Sequence, residues 1–423
     1  MNKVLRYIII LLFLTNCNSA KKDKVKNENL IDIFPKKDPI NKEFNQQLKI
    51  KQLNKFKSKP FFKNNSNNNG NINFDTNFKN IFNYKIKKIK KFKSNQPELF
   101  FTNNGKLIFF NGVGTIFKLD KDLKKIWELN NYNKKEKKLS PILYFAQTGE
   151  NLIVNDNLSK MYSVNLANGK INWSKYSSSS FNSDIKIYKD KFLTVDFDNV
   201  IRAISSKNGS EVWSFKTDNS FIKSQKKLSI ILKDEIVFFI NNLGDVTALD
   251  VNNGSLVWQT PTQSSLIYQD AFSLENSDLV FENDTIYFSN NKNEFFSIDA
   301  RTGIIKWTQS INSSLRPTII ESLIFTVSNE GYLFIIDDRT GNILRITDIL
   351  TNLKNRDNIK PTGFIHGKEK LFVSLSNGRL LIINSSTGSQ EKIIKLHGSK
   401  ISRPSVFNNS MYLIKDNAIV KIN

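Results

Sequence analysis

The residues of this chain with the types to do chemistry are few: two histidines, one cysteine and a set of regularly spaced aspartates in 423 residues. His366 and His397 lie in no H-E-x-x-H motif and no Cys/His cluster, so each reads as a surface or turn residue rather than a metal ligand. No G-x-S-x-G elbow and no G-x-x-x-x-G-K-S/T loop occurs. Cys17 is the single cysteine, which excludes an intramolecular disulfide. Asp120, Asp250, Asp299 and Asp337 could suggest carboxylate chemistry, but each opens the same short frame at a fixed offset. That recurrence points to turn formation. The chain is expected to be no enzyme, with no catalytic residue, no metal, no cofactor and no small-molecule substrate.

The elements that would carry these residues are set by the frame. It reads DARTGIIKW at Asp299 to Trp307, with Gly303 closing a tight turn and Trp307 four residues on. The same pattern brings Gly169 before Trp173, Gly209 before Trp213 and Gly254 before Trp258. At Gly341 and Gly388 it recurs without the Trp, and a shortened copy without the Gly ends at Trp127. Asp, Asn or Ser at the start can accept hydrogen bonds from the turn's N–H groups. Gly supplies a positive φ. The Trp then lies on the returning strand, where its body packs and its N–H finds a partner. The frame is a β-hairpin, and all five Trp are committed to it.

The frames open at 120, 165, 205, 250, 299, 337 and 384, a period of 40 to 50 residues. That period, with several short strands per repeat, predicts an all-β fold, a β-propeller whose blades stack around a ring. Eight apolar hairpins precede or lack a frame, from LIFFNGVGTIFKL at Leu107 to MYLIKDNAIVKI at Met411. Eight hairpins against seven frames predict eight four-stranded blades, the last lacking its own outer strand. The strand-like run Phe82 to Phe92 is expected to supply it, closing the ring and removing the open sheet edge. The propeller is placed at 81–423, with the frame Trp residues mostly buried between blades.

Residues 1–16 form a signal peptide: Lys3 and Arg6 precede an apolar core from Tyr7 to Leu14, too short to span a bilayer. Leu14-Thr15-Asn16-Cys17 resembles a bacterial lipobox, and this resemblance implies lipid on Cys17. Residues 17–80 are assigned to a flexible Lys/Asn-rich tether, with NNSNNNGNIN at Asn64 to Asn73 of low complexity. The net charge is +23, and 20 Lys against 6 acidic residues fall between Lys21 and Lys93. Export argues against nucleic acid as the partner of that excess; a solvated linker or contact with anionic head groups accounts for it.

The frame D-x-x-T/N-G-x-x-x-W resembles the quinoprotein (PQQ-like) propeller repeat. A lipobox, a linker and one eight-bladed propeller of such repeats resemble the BamB family of outer-membrane assembly lipoproteins. That resemblance implies a non-catalytic scaffold on the periplasmic face of the outer membrane, held there by a lipid anchor. It implies a BamA-type barrel subunit as partner, bound through its POTRA repeats. The long connection Gln259 to Ser277 would carry the contact, at Leu266, Ile267, Tyr268, Asp270 and Phe272. Two rivals stay open: a propeller binding another envelope partner, and a PQQ-dependent dehydrogenase. The alcohol dehydrogenases of the latter group use adjacent cysteines and Ca²⁺, and this chain has one cysteine and no Trp outside the frames.

Overall fold

The computed structural model describes residues 38–51, 70, 72–75, 78, 80–86, 98–218, 224, 226–262, 274–396, 400–415 and 417–423. These build eight four-stranded antiparallel sheets. Blades 1 to 7 occupy 100–130, 143–176, 186–216, 230–260, 280–309, 318–348 and 361–395 in chain order. Blade 8 combines 405–422 with the strand Ile81–Lys85, which pairs with Ala418–Ile422. The exchange of main-chain hydrogen bonds between Asn80 and Asn423 (3.5 and 3.1 Å) extends that pairing, and Ile86 N–H donates to Asn417 O at 2.9 Å. The ring is thus closed as expected by the N-terminal strand; residues 87–92 of the expected run lie outside the described residues.

The expected hairpins form the two middle strands of each blade. In blade 4, Ile236–Ile240 is apolar throughout and Val246–Asp250 is mostly so, and both are buried except at Ile236 and Asp250, because both faces are covered by neighbouring blades. The core is therefore a ring of inter-blade clusters. One joins blades 4 and 5 through Phe238, Ile240, Phe288 and Phe296. Fourth strands are the most exposed, as in Leu256–Thr260, where Trp258 is the one buried residue.

The frame performs the turn chemistry read from it. Asp299 Oδ1 accepts from the N–H groups of Arg301 and Thr302, both at 3.0 Å. Asn165 Oδ1 does the same for Ala167 and Asn168. A bulge follows in the third–fourth strand pairing of every frame-bearing blade. The bulge sets each frame Trp opposite a third-strand residue that is often small: Ser163, Ala203, Ala248 or Ser297.

Each Trp docks on the next blade. Trp127, Trp173, Trp213, Trp258 and Trp307 cover Gly169, Gly209, Gly254, Gly303 and Gly341 respectively. Their indole N–H groups donate to main-chain carbonyls of that next turn at 3.0–3.2 Å. At Gly254, φ is +76° and a Cβ would stand 2.5 Å from Trp213, so both conformation and contact require glycine. Burial differs from expectation: only Trp258 is buried, and the other four are half-buried. These four sit on outer strands whose other residues are mostly exposed, so docking on the next blade covers them only in part.

Two further expectations are corrected. His366 is not a surface residue. It ends the inner strand of blade 7, fully buried, with its ring 4.5 Å from that of Phe325 in blade 6. Packing between the two blades encloses the ring, and its Nδ1 lies 2.6 Å from Gly367 O. His397 lies outside the described residues. The 17–80 segment is not a tether throughout its length. Phe44 pairs with Ile346 on the outer edge of blade 6, and Ile50 is buried against blades 6 and 7. Phe74 is buried between blades 7 and 8, its ring 5.3 Å from that of Phe372. Widely spaced apolar residues in a polar composition are enough to dock a segment onto an existing sheet edge.

Candidate functional site

Strand alternation gives the ring two unlike faces. Frames and the turns between first and second strands share one face. The entries to the inner strands and the turns between second and third strands share the other. On that second face the inner-strand entries line a funnel of about 680 Å³. The sequence offers a repeated local reason for its shape. Ser183, Ser277 and Ser402 stand at the entry of blades 3, 5 and 8, each accepting a main-chain N–H of the second strand at 2.7–2.9 Å. Each thereby pins the start of its strand. The next residue, Asp184, Asp278 or Arg403, lines the funnel.

Charge dominates the lining. Lys227 bridges Asp184 at 2.9 Å and Glu98 at 2.8 Å, joining blades 1, 3 and 4. Lys226 Nζ donates to Ser314 O at 2.8 Å. Arg403 Nη1 lies 3.8 Å from Asp278, and its Nε donates to Phe364 O at 3.2 Å. Within the lining, Lys186 and Arg316 are the most deeply buried cations, with 2% and 4% of their surface exposed.

The electrostatics follow from that placement. Burial pulls the Arg316 guanidinium well below its ordinary value, and neighbouring Arg403 adds to the effect. Burial likewise lowers Lys186 and Lys226. Burial works against Lys227 too, but the carboxylates of Asp184 and Glu98 hold it well above its usual range. For Asp278, burial would raise the carboxyl, and the charges of Lys227 and Arg316 outweigh it and keep the group ionised. No aromatic residue and no cysteine lines the funnel, and no group of three metal-ligating side chains occurs among the described residues.

The residues singled out from the sequence fall elsewhere. The frame Trp residues lie on fourth strands, away from the funnel. Cys17 and Leu266, Ile267, Tyr268, Asp270 and Phe272 lie outside the described residues. The connection that holds the last five runs from the outer strand of blade 4 to the inner strand of blade 5, so both its ends are on the funnel face. Glu275, near its end, lines the funnel.

An eight-bladed ring of Trp-docked PQQ-like repeats, with a charged funnel on one face, defines the class: a quinoprotein-type β-propeller. Within that class, the profile of the family described as outer membrane protein assembly factor BamB matches residues 112–347, more than half of the chain. The protein belongs to the BamB family. Among solved structures it is similar to BamB from Moraxella catarrhalis, with a TM-score of 0.63 at 15% identity over 81% of this chain and 97% of that one. It is also similar to the computationally designed Ika8 protein, with a TM-score of 0.60 at 13% identity over 80% and 99%. A third is the quinohemoprotein alcohol dehydrogenase ADHIIG from Pseudomonas putida HK5, with a TM-score of 0.58 at 10% identity over 81% and 76%. At these identities the likeness is one of fold. No curated protein matches the sequence.

Proposed function

We propose that the protein is a non-catalytic scaffold of the machinery that assembles outer-membrane β-barrels. It is anchored through lipid on Cys17 to the periplasmic face of the outer membrane. It binds the POTRA repeats of a BamA-type barrel subunit, with Leu266, Ile267, Tyr268, Asp270 and Phe272 in the contact. The observation that carries this reading is the BamB-family match across the repeats. The funnel supports it over the dehydrogenase reading. A planar quinone stacks on an aromatic face, and every Trp is held on an outer strand against the next blade's glycine. A ring that fixes many loops is suited to holding a partner.

The test is co-purification from detergent-solubilised outer membrane. The wild type is expected to bring down the barrel subunit, and the pair Leu266→Ala, Tyr268→Ala to reduce that yield at least severalfold while keeping the fold. Unchanged yield in the double variant overturns the loop assignment. Absence of the subunit with the wild type overturns the function, and a quinone absorbance band retained after reconstitution with PQQ and Ca²⁺ would replace it.

A further inference from the structure

We propose that the funnel is a binding site for a small, non-aromatic polyanion carrying two or more carboxylate or phosphate groups. The inference is independent of whether the barrel subunit binds. It begins with charge balance. Among the described residues the lining holds seven cations, from Lys186, Arg316 and Arg403 to Lys360 at the mouth, against five carboxylates. Two of those carboxylates, Asp184 and Glu98, are both engaged by Lys227, and Asp278 faces Arg403. The lining as a whole keeps a positive balance, and its most buried cations are Lys186 and Arg316, where water is nearly excluded. Charge buried with a net excess of one sign is costly unless an opposite charge enters.

Neighbouring sequence does not restore the balance. Residues 52–69 precede Gly70 and residues 87–97 precede Glu98, both of which line the funnel. The two stretches contain lysines and no Asp or Glu, and residues 263–273, which precede Glu275, add one carboxylate, Asp270, too few to cancel the excess. Size and polarity then set the ligand class. About 680 Å³ is the volume of a small-molecule site. Ser314, Ser376 and Ser405 add hydroxyls to the cationic wall, and among the described residues no ring lines it to stack on a base or a quinone. Burial lowers Lys186, Lys226 and Arg403, and neighbouring cations add to the effect at Lys186 and Lys226. The seven cations come from the entries of blades 3, 4, 6, 7 and 8, so a ligand at the centre would add to the few contacts, such as Lys227–Glu98 and Arg403–Asp278, that already reach across non-adjacent blades.

Titration calorimetry of the full chain with citrate and with pyrophosphate, at ionic strength matched by chloride, tests this. Saturable binding of one molecule per chain is expected. Arg316→Gln is expected to abolish it. Because Arg316 is buried and that variant can fail to fold, Lys360→Gln at the exposed mouth and the half-buried Lys400→Gln provide the second arm, each weakening binding about threefold to tenfold, the net worth of one solvent-screened hydrogen bond. Lys138→Gln, exposed and outside the funnel, should leave it unchanged. Binding of citrate alone assigns a carboxylate ligand, and of pyrophosphate alone a phosphorylated one. No saturable heat with either, or affinity equal in wild type, Lys360→Gln and Lys400→Gln, overturns the proposal.

Discussion

Trp258 and Arg345 occupy the same place in different repeats and hold it by different chemistry. The Trp258 indole covers Gly303 and donates to Ala300 O at 3.0 Å. Arg345 is fully buried, and its guanidinium reaches the equivalent carbonyl, Ser385 O, at 3.0 Å. It donates as well to Ser386 O and, at 2.9 Å, to Leu48 O of the N-terminal segment. Burial draws its value down to about 10, so it remains a cation at neutral pH. Trp258→Ala empties a buried site and should cost about 3–5 kcal/mol in denaturant unfolding. Trp213→Ala, half-buried, should cost less than half of that; equal losses would show that docking rather than burial sets the scale. His366 gives a pH signature. Burial lowers it from 6.5 to about 4 in the folded chain. A depressed folded value means that the unfolded chain takes up the proton first. The stabilisation is complete above about pH 6.5 and is lost as pH falls towards 4, by about 3 kcal/mol. Urea midpoints at pH 7 and pH 4.5 should therefore fall further apart for the wild type than for His366→Gln; parallel shifts would mean that His366 carries no such proton linkage.

Among the elements, the frame hairpin was legible because its cause is local: an acceptor side chain, a glycine and a Trp within nine residues. The inner strands were not. Several have only two or three residues, such as Phe100–Phe101 and Ser405–Phe407, too few for a periodicity, and they gain their order from the ring. The funnel was hidden for the same reason, because seven of the eight blades contribute one or two charges each, and these become neighbours only in the closed ring. A repeated Ser followed by a charged residue, at 183–184, 277–278 and 402–403, was the available signal. The N-terminal strap was obscured by its composition, in which Phe44, Leu48 and Ile50 stand among Lys, Asn and Gln. Its contacts are mainly main-chain. Phe44 exchanges hydrogen bonds with Ile346 at 3.1 and 3.0 Å, and Ile50 N–H donates to Ser386 O at 3.0 Å. Deleting residues 38–51 should expose the edge of blade 6 and leave Arg345 one acceptor short. Arg345→Leu should then cost less in the deleted chain than in the full one, by about 1 kcal/mol or more of coupling. Additive losses would show that strap and arginine act separately.

At the scale of the whole molecule, stability rests on closure. Each blade buries its faces only against two neighbours, so an open array would expose two blade faces and a sheet edge. Blade 8 is the seam, since its outer strand comes from Ile81–Lys85 and its other three strands from 405–422. Removing residues 38–86 should bare the apolar strand Ala418–Ile422, lower the cooperativity of unfolding and promote association through that edge. Loss of the strap would contribute to such a result, and a permuted chain separates the two effects. The mutual hydrogen bonds of Asn80 and Asn423 place the chain's end beside the start of the closing strand, in the geometry of a hairpin. Residues 80–86 carried after Asn423 behind an Asn-Gly turn should re-form the same antiparallel pairing within one continuous hairpin. In a chain lacking 38–86 at its start, that addition is expected to restore a monomer by size exclusion and to recover most of the lost thermal midpoint. If the permuted chain melts and associates like the truncated one, the seam strand is dispensable and the strap carries the effect. If the truncated chain is as stable and monomeric as the full one, closure by the N-terminal strand contributes nothing to the ring.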